Sequence, residues 1–244
     1  MISKNKIKYI RSLELKKNRN KEGKFVAEGF KVVDDLLALQ PADLIVATDE
    51  WLRGKHFGAE TEVIEVTDEE LKKVSFLQHP QQVLAVFKQA TSGDYSINTS
   101  ELSLALDGVQ DPGNLGTILR TADALDVPVG LLEGCADPYS QKVVRASMGA
   151  VFRTQVITTT WEEARQRCTA AGIPIAVTAL DTQAVDIRQA DVGTMAAVIG
   201  SEGQGVRREI LDAADKKLII PMNPHCESLN AAVAAAIVMW QMKN

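Results

Sequence analysis

Three short stretches of this chain carry side chains that could do chemistry. In Asp111-Pro112-Gly113-Asn114-Leu115-Gly116 an asparagine, able to hold a hydroxyl from either side, stands six residues before Arg120, whose planar fork suits a phosphate or carboxylate. In Gly200-Ser201-Glu202-Gly203-Gln204-Gly205 one carboxylate sits among three glycines, an arrangement that lets a ligand press against the backbone. In Ile220-Pro221-Met222 through Glu227-Ser228-Leu229-Asn230 a loop with two prolines opens into a helix, with Ser228 expected to cap its free N–H groups. Alanines at 231, 232 and 234–236 keep the first turns of that helix small, so a ligand can approach the backbone closely.

Several chemistries are disfavoured. The glycines of the second stretch run G-x-x-G-x-G near the end of the chain, whereas a dinucleotide fingerprint runs G-x-G-x-x-G after a first strand and is followed by a ribose-binding acid. Three cysteines (Cys135, Cys168, Cys226) and three histidines are scattered without metal-ligand spacing, so neither a metal site nor a disulfide framework is expected. A hydrophobic content of 45% with 24% charged residues is that of a globular protein, and no apolar run is long enough for a bilayer. The opening MISKNKIKYIRSLELKK lacks the apolar core of a signal peptide, which leads us to expect a cytoplasmic protein. The net charge of −5 conceals a polarity: residues 1–31 hold ten Lys/Arg against three Glu, and the remainder is strongly acidic. A basic head on an acidic body is a footprint of phosphate-backbone contact, although charge runs also occur on plain solvated helix faces.

The elements that must position these residues follow from hydrophobic patterning. The pattern predicts a short amphipathic helix over 4–15, a basic loop over 16–23, a strand over 25–28, a helix over 30–39, and strands over 44–47, 63–66 and 83–87, with a helix bearing Leu71, Val74 and Leu77 between the last two. We expect this small α/β domain to occupy 1–92. The polar stretch 93–101 reads as a linker, and a second domain takes up 102–244. In that second domain a strand over 102–106 leads into a loop over 107–116 and a helix over 117–125. Further strands are expected over 130–132, 155–158, 173–179, 196–199 and 218–220, with helices over 140–146, 161–171, 207–213 and from about 228 onward. Strands alternating with helices make a mostly parallel α/β sheet, whose ligands gather beyond the carboxyl ends of the strands.

Taken together and in order, the three stretches resemble the three motifs of the SpoU-type (TrmH-like) RNA 2′-O-ribose methyltransferases of the SPOUT superfamily. The resemblance covers roughly 102–242. Ser3-Lys4-Asn5, Lys16-Lys17-Asn18-Arg19 and Phe25-Val26-Ala27-Glu28-Gly29 are also similar to the opening of that family's substrate-binding domain. The resemblance implies a C-terminal domain tied as a deep trefoil knot, a smaller N-terminal α/β RNA-binding domain, and a homodimer with its active sites near the subunit interface. It also implies S-adenosyl-L-methionine as methyl donor and a ribose in rRNA or tRNA as acceptor. The sulfonium of that donor already drives methyl departure, so no metal is implied.

By the same resemblance Asn114, Arg120, Glu202, Ser228 and Asn230 form the active-site polar set. Leu180, Gly200, Ile220, Met222 and Leu229 hold the cofactor, and Lys4, Lys16, Lys17, Arg19 and Lys24 meet RNA phosphates. An arginine is a poor base, so Arg120 is expected to clamp the target phosphate and to assist deprotonation only through geometry. In one respect the chain departs from the family pattern: Pro224 stands where glycine is usual, fixing φ and removing an N–H donor from the cofactor loop. That departure motivates an alternative, an RNA-binding protein of the same fold with weak or absent methyl transfer.

Overall fold

A computed structural model of the chain describes residues 2–90, 103–191, 195–223, 225–226 and 228–243. The linker expected at 93–101 and the departure at Pro224 lie outside these residues. The described residues fall into two compact units.

The first unit begins with α1 (Lys4–Ser12), capped by the Ser3 hydroxyl, and α2 (Lys16–Glu22). There follow β1 (Lys24–Glu28), α3 (Phe30–Leu37), β2 (Leu44–Ala47), α4 (Asp49–Leu52), β3 (Glu62–Glu65), α5 (Asp68–Val74) and β4 (Val83–Lys88). The four strands make one sheet in the order β1-β4-β2-β3, with β2 and β3 parallel and the other pairs antiparallel. Side chains alternate across it. Val26, Leu44, Val46, Leu84 and Val86 join Ile10 of α1, Leu13 just after it, and Leu71 and Val74 of α5 in one core.

The basic loop expected over 16–23 is instead the helix α2. No apolar periodicity announces it, because KKNRNKE has none. What holds it is one side chain: Arg19 is buried, pairs with Asp137 and donates to the carbonyls of Leu13 and Glu14 at 2.8 and 2.5 Å. Gly23 then ends the helix at φ +62°, a left-handed conformation that glycine adopts freely.

The second unit holds β5 (Leu104–Asp107), α6 (Pro112–Leu125), β6 (Val129–Leu131), β7 (Val156–Thr158), α8 (Trp161–Ala171), β8 (Ile175–Thr178), β9 (Val185–Asp186), β10 (Ala196–Gly200), α9 (Arg208–Ala213), β11 (Lys216–Ile219) and α10 (Ala231–Met242). Between β6 and β7 lies α7 (Gln141–Ala146), and the whole stretch Asp137–Phe152 belongs to the first unit. There Tyr139 and Phe152 pack on Phe25, with ring centroids 5.4 and 4.8 Å away.

All seven strands of the second unit run parallel, in the order β7-β6-β5-β10-β8-β11-β9. A parallel strand covered on both faces reads as an unbroken apolar run, and Ala196–Gly200 is buried at every position. Trp161 and Ile210, from α8 and α9, pack with Ile175, Val177 and Val198, while α10 lies against α6 and β10.

Most element starts shift by one or two residues from expectation, and two helix starts shift further. α6 begins at Pro112, not 117, because Asp111 caps it by accepting from the Asn114 N–H at 2.8 Å and Pro112 supplies a preset φ at the first helical position. The cap of α10 is Asn230, not Ser228: its Oδ1 accepts from the N–H groups of Ala232 and Val233 at 2.9 and 3.3 Å.

Candidate functional site

The Asp111 cap places Asn114, half-buried, in the first turn of α6. From there Nδ2 donates to Oε1 of Glu202, and Oδ1 accepts from Nδ2 of Asn230 at 3.0 Å. Asn230 uses its remaining oxygen to cap α10. Each amide therefore has a donor and an acceptor already committed, which fixes which way round it sits. One hydrogen-bonded chain, Glu202–Asn114–Asn230, joins all three motifs at the N-termini of two helices, where backbone N–H groups and the helix dipoles favour negative charge.

Glu202 is delivered by a tight turn after β10. Ser201 and Gly205 exchange backbone hydrogen bonds at 3.1 and 3.0 Å, and the Ser201 hydroxyl accepts from the N–H of Gln204 at 3.3 Å. The turn folds back so closely that a Cβ on Gly200 would lie 2.1 Å from the carbonyl carbon of Gly205. Only glycine fits there.

Beneath this turn, beyond the carboxyl ends of β8, β10 and β11, opens a cavity of about 620 Å³, within the range of small-molecule and cofactor sites. Gly200 to Val206 form one wall, Thr178 to Asp181 another, and Leu218 to Ile220 with Met222 a third; Ser228, Leu229, Ala231 and Ala234 close it. All five residues expected to hold a cofactor, Leu180, Gly200, Ile220, Met222 and Leu229, line this space, together with Glu202 and Ser228. Leu180 is 67% exposed, an aliphatic side chain left open on the cavity wall. The small faces of Ala231 and Ala234 leave the start of α10 open to a ligand. The lining also holds a pair that the sequence pattern does not reveal: Asp181 accepts from Lys217 at 2.7 Å, and that hydrogen bond lowers the Asp181 carboxyl below its usual range. Thirty-six residues separate the two, so no local spacing marks them.

Arg120 lies outside this cluster. It is exposed, two turns along α6 and roughly 9 Å of helix rise beyond Asn114, with no ion pair among the described residues. Ser228 is exposed beside the cavity.

Of the lysines and arginine expected to meet RNA, Lys4, Lys16 and Lys17 are exposed. Lys24 is half-buried and pairs with Asp43 at 2.8 Å, a contact that raises its pKa. Arg19 departs from the expectation: its guanidinium is consumed by Asp137 and two carbonyls and is withdrawn from solvent, so it serves the fold rather than a phosphate. No helix of the described residues is long and apolar enough to cross a membrane, and they contain no group of His, Cys, Asp and Glu side chains that could hold a metal ion.

Comparison with known proteins agrees with this geometry. The model of the SpoU rRNA Methylase family matches residues 101–240, and that of an MRM3-like substrate binding domain matches residues 4–85. The chain is 31% identical over 243 residues to the 23S rRNA (guanosine(2553)-2'-O)-methyltransferase RlmP of Bacillus subtilis, covering 98% of this chain and 96% of that protein. A solved structure assigned to the TrmH family of RNA methyltransferases, from Porphyromonas gingivalis, superposes with a TM-score of 0.89 at 36% identity over 100% of this chain and 98% of the other. An AdoMet-bound rRNA methyltransferase from Sinorhizobium meliloti gives a TM-score of 0.86 at 31% identity, covering 100% and 95%.

Proposed function

Because the chain belongs to the SpoU rRNA methylase family, we propose that it transfers the methyl group of S-adenosylmethionine to the 2′-hydroxyl of a ribose in ribosomal or transfer RNA. The observation that carries this reading is the Glu202–Asn114–Asn230 chain set beside a cavity of about 620 Å³ whose lining combines aliphatic and small residues with a few charged ones. Bound there, the cofactor supplies an electrophilic methyl on a sulfonium that needs no metal to activate it.

The residues of the chain supply alignment. Leu180, Ile220, Met222 and Leu229 offer apolar contact to the donor, and Gly200 lets it reach the backbone. Asn114 and Asn230, with their amides held in one orientation, direct a hydroxyl toward the cavity, and Glu202 fixes the turn that closes it. Ser228 offers a further hydroxyl beside them. Arg120 clamps the phosphate next to the target ribose, so that the hydroxyl attacks in line, its O–CH3 bond forming as the S–CH3 bond of the donor breaks and its proton passing to solvent. Lys4, Lys16 and Lys17, aided by Lys24, hold more distant phosphates on the first unit.

The same proposal includes a homodimer. Val233, Ile237 and Trp240 recur at i, i+4 and i+7 on α10 and are 49%, 36% and 62% exposed, an apolar stripe suited to a second copy. We also assign the protein to the cytoplasm, where its RNA would be. The C-terminal segment is taken to be threaded as the family's trefoil knot, in keeping with a strand order that puts β8 between β10 and β11.

The test is methyl transfer from labelled S-adenosylmethionine to total RNA from cells lacking the protein, followed by mapping of ribose methylation. One new 2′-O-methyl nucleotide is expected. Cofactor binding without transfer to any RNA would leave only the RNA-binding alternative, and sedimentation as a monomer at micromolar concentration would remove the dimer.

A further inference from the structure

Asp107 and Arg207 stand a hundred residues apart and belong to none of the three motif side-chain sets, yet they meet at the base of the Glu202 turn. Asp107 ends β5 and is 1% exposed. Both of its carboxylate oxygens are used by one residue: Oδ2 accepts from the Arg207 backbone N–H at 2.8 Å and Oδ1 from its Nε at 2.7 Å. The Arg207 Nη2 continues to Glu133 at 2.7 Å, and Glu133 in turn accepts from the Trp161 N–H at the start of α8. Its Nη1 meets Glu209 at 3.0 Å.

The position of this knot of charges matters more than its strength. Gly200, where the turn begins, is paired with Asp107 across the β10–β5 ladder. Arg207, directly after the turn ends, is held by the same Asp107. The turn is thus tied at both feet to one residue, Gly200 through the strand ladder and Arg207 through the buried Asp107 carboxylate, with Glu202 between them reaching Asn114. Asp107 also lies four residues before Asp111, which caps α6 and so places Asn114. A charge pair of a buried, fully hydrogen-bonded carboxylate with a half-buried arginine contributes geometric definition more surely than stability.

We infer that Asp107 and Arg207 are positioning residues for methyl transfer, a two-footed anchor that sets the height of Glu202 against Asn114; this rests on the reading of Glu202 given above. The first measurement is independent of activity. Amide hydrogen exchange at Ser201 and Gly205, whose N–H groups bond across the turn, should speed up on the order of 10- to 100-fold in Arg207→Ala, the loss corresponding to a hydrogen bond to a charged group. Exchange at Val198 and Ile199 in β10 should not change. Exchange unaltered at Ser201 and Gly205 would overturn the inference, as would a uniform rise across β10.

The second measurement is a kinetic cycle with Glu202→Ala. If Arg207 acts through Glu202, Glu202→Ala should lower kcat about tenfold in the wild-type background and less than about threefold in Arg207→Ala. Equal factors in both backgrounds would refute the anchor. Should Arg207→Ala fold poorly because the buried Asp107 charge loses its counterion and its Oδ1 a donor, Asp107→Asn combined with Arg207→Gln removes both charges. Its Tm should return toward wild type while kcat stays low; recovery of both would assign the pair to stability alone. A wild-type protein that methylates no RNA would overturn the proposed function, and the exchange measurement would then decide the anchor by itself.

Discussion

Asn230 does two jobs that substitution can separate. Its Oδ1 caps α10 through two backbone N–H groups, and its Nδ2 donates to Asn114. Asn230→Ala removes both. Losing an N-cap costs about 0.5–2 kcal/mol, and losing an exposed side-chain hydrogen bond costs about 0.5–1 kcal/mol. The sum of roughly 1–3 kcal/mol corresponds to a fall in Tm of about 2–10 °C for a chain of this size. Asn230→Asp keeps the capping oxygen and adds a negative charge at a helix N-terminus, so Tm should stay within about 2 °C of wild type. It also replaces the donor facing Asn114 by an acceptor. Asn114 must then either face it oxygen to oxygen or flip and turn its own oxygen on Glu202. Both variants should therefore lose at least about tenfold in kcat, equivalent to about 1.4 kcal/mol of transition-state stabilisation, whereas only Asn230→Ala loses stability. Thermal unfolding beside single-turnover methylation reads the two effects separately. Wild-type turnover in Asn230→Asp would refute the claim that the Glu202–Asn114–Asn230 chain orients the acceptor.

Arg120→Ala should reduce methyl transfer by about 100-fold or more while leaving Tm and calorimetric S-adenosylmethionine affinity unchanged, because Arg120 is exposed and outside the cavity lining. Lys16→Glu with Lys17→Glu should weaken RNA binding and lower the slope of log K against log salt by about 0.7–0.9 per lost phosphate contact. Arg19→Ala should instead lower Tm, since it leaves Asp137 buried without its partner, at a cost of about 3–5 kcal/mol. Burial raises the Glu28 carboxyl above its usual value despite hydrogen bonds from Ser75 and Phe76. The folded state then holds that proton more tightly than the unfolded chain, so this residue's contribution falls as pH rises from the ordinary carboxylate range through the raised value. Glu28→Gln, followed by Tm from pH 4 to 8, should flatten that decline and stabilise the protein at neutral pH.

What the sequence discloses and what it hides have physical causes. The parallel sheet is legible because doubly covered strands such as Ala196–Gly200 are continuous apolar runs, and α8 because its start and its stop at Gly172 are both punctuated. Helix α6 hides its first turn in Asp111-Pro112-Gly113-Asn114, a set of residues that suits a turn equally well; only the Asp111 cap, seen in three dimensions, decides for a helix. Helix α2 has no amphipathic pattern to betray it, being held by the burial of a single arginine. That also explains why Arg19 resembles its exposed neighbours Lys16 and Lys17 in sequence and differs from them in role. The cavity residues Leu180, Gly200, Ile220, Met222 and Leu229 were accessible through the resemblance of motifs. Asp181–Lys217 and Asp107–Arg207 were not, because each joins distant strand ends whose meeting is a property of the sheet order.

The excursion Asp137–Phe152 gives the chain an unequal partition. A polypeptide ending after β4 would retain every strand of the amino-terminal sheet, yet Phe25 would lose the rings of Tyr139 and Phe152 and Arg19 its carboxylate. Such a fragment would show a bare aromatic surface to water and an arginine sealed in without a counterion. Synthesis must therefore run past residue 152 before the first module can finish its own interior, so the amino-terminal unit matures only after β5, α6 and β6 of the second unit have been made.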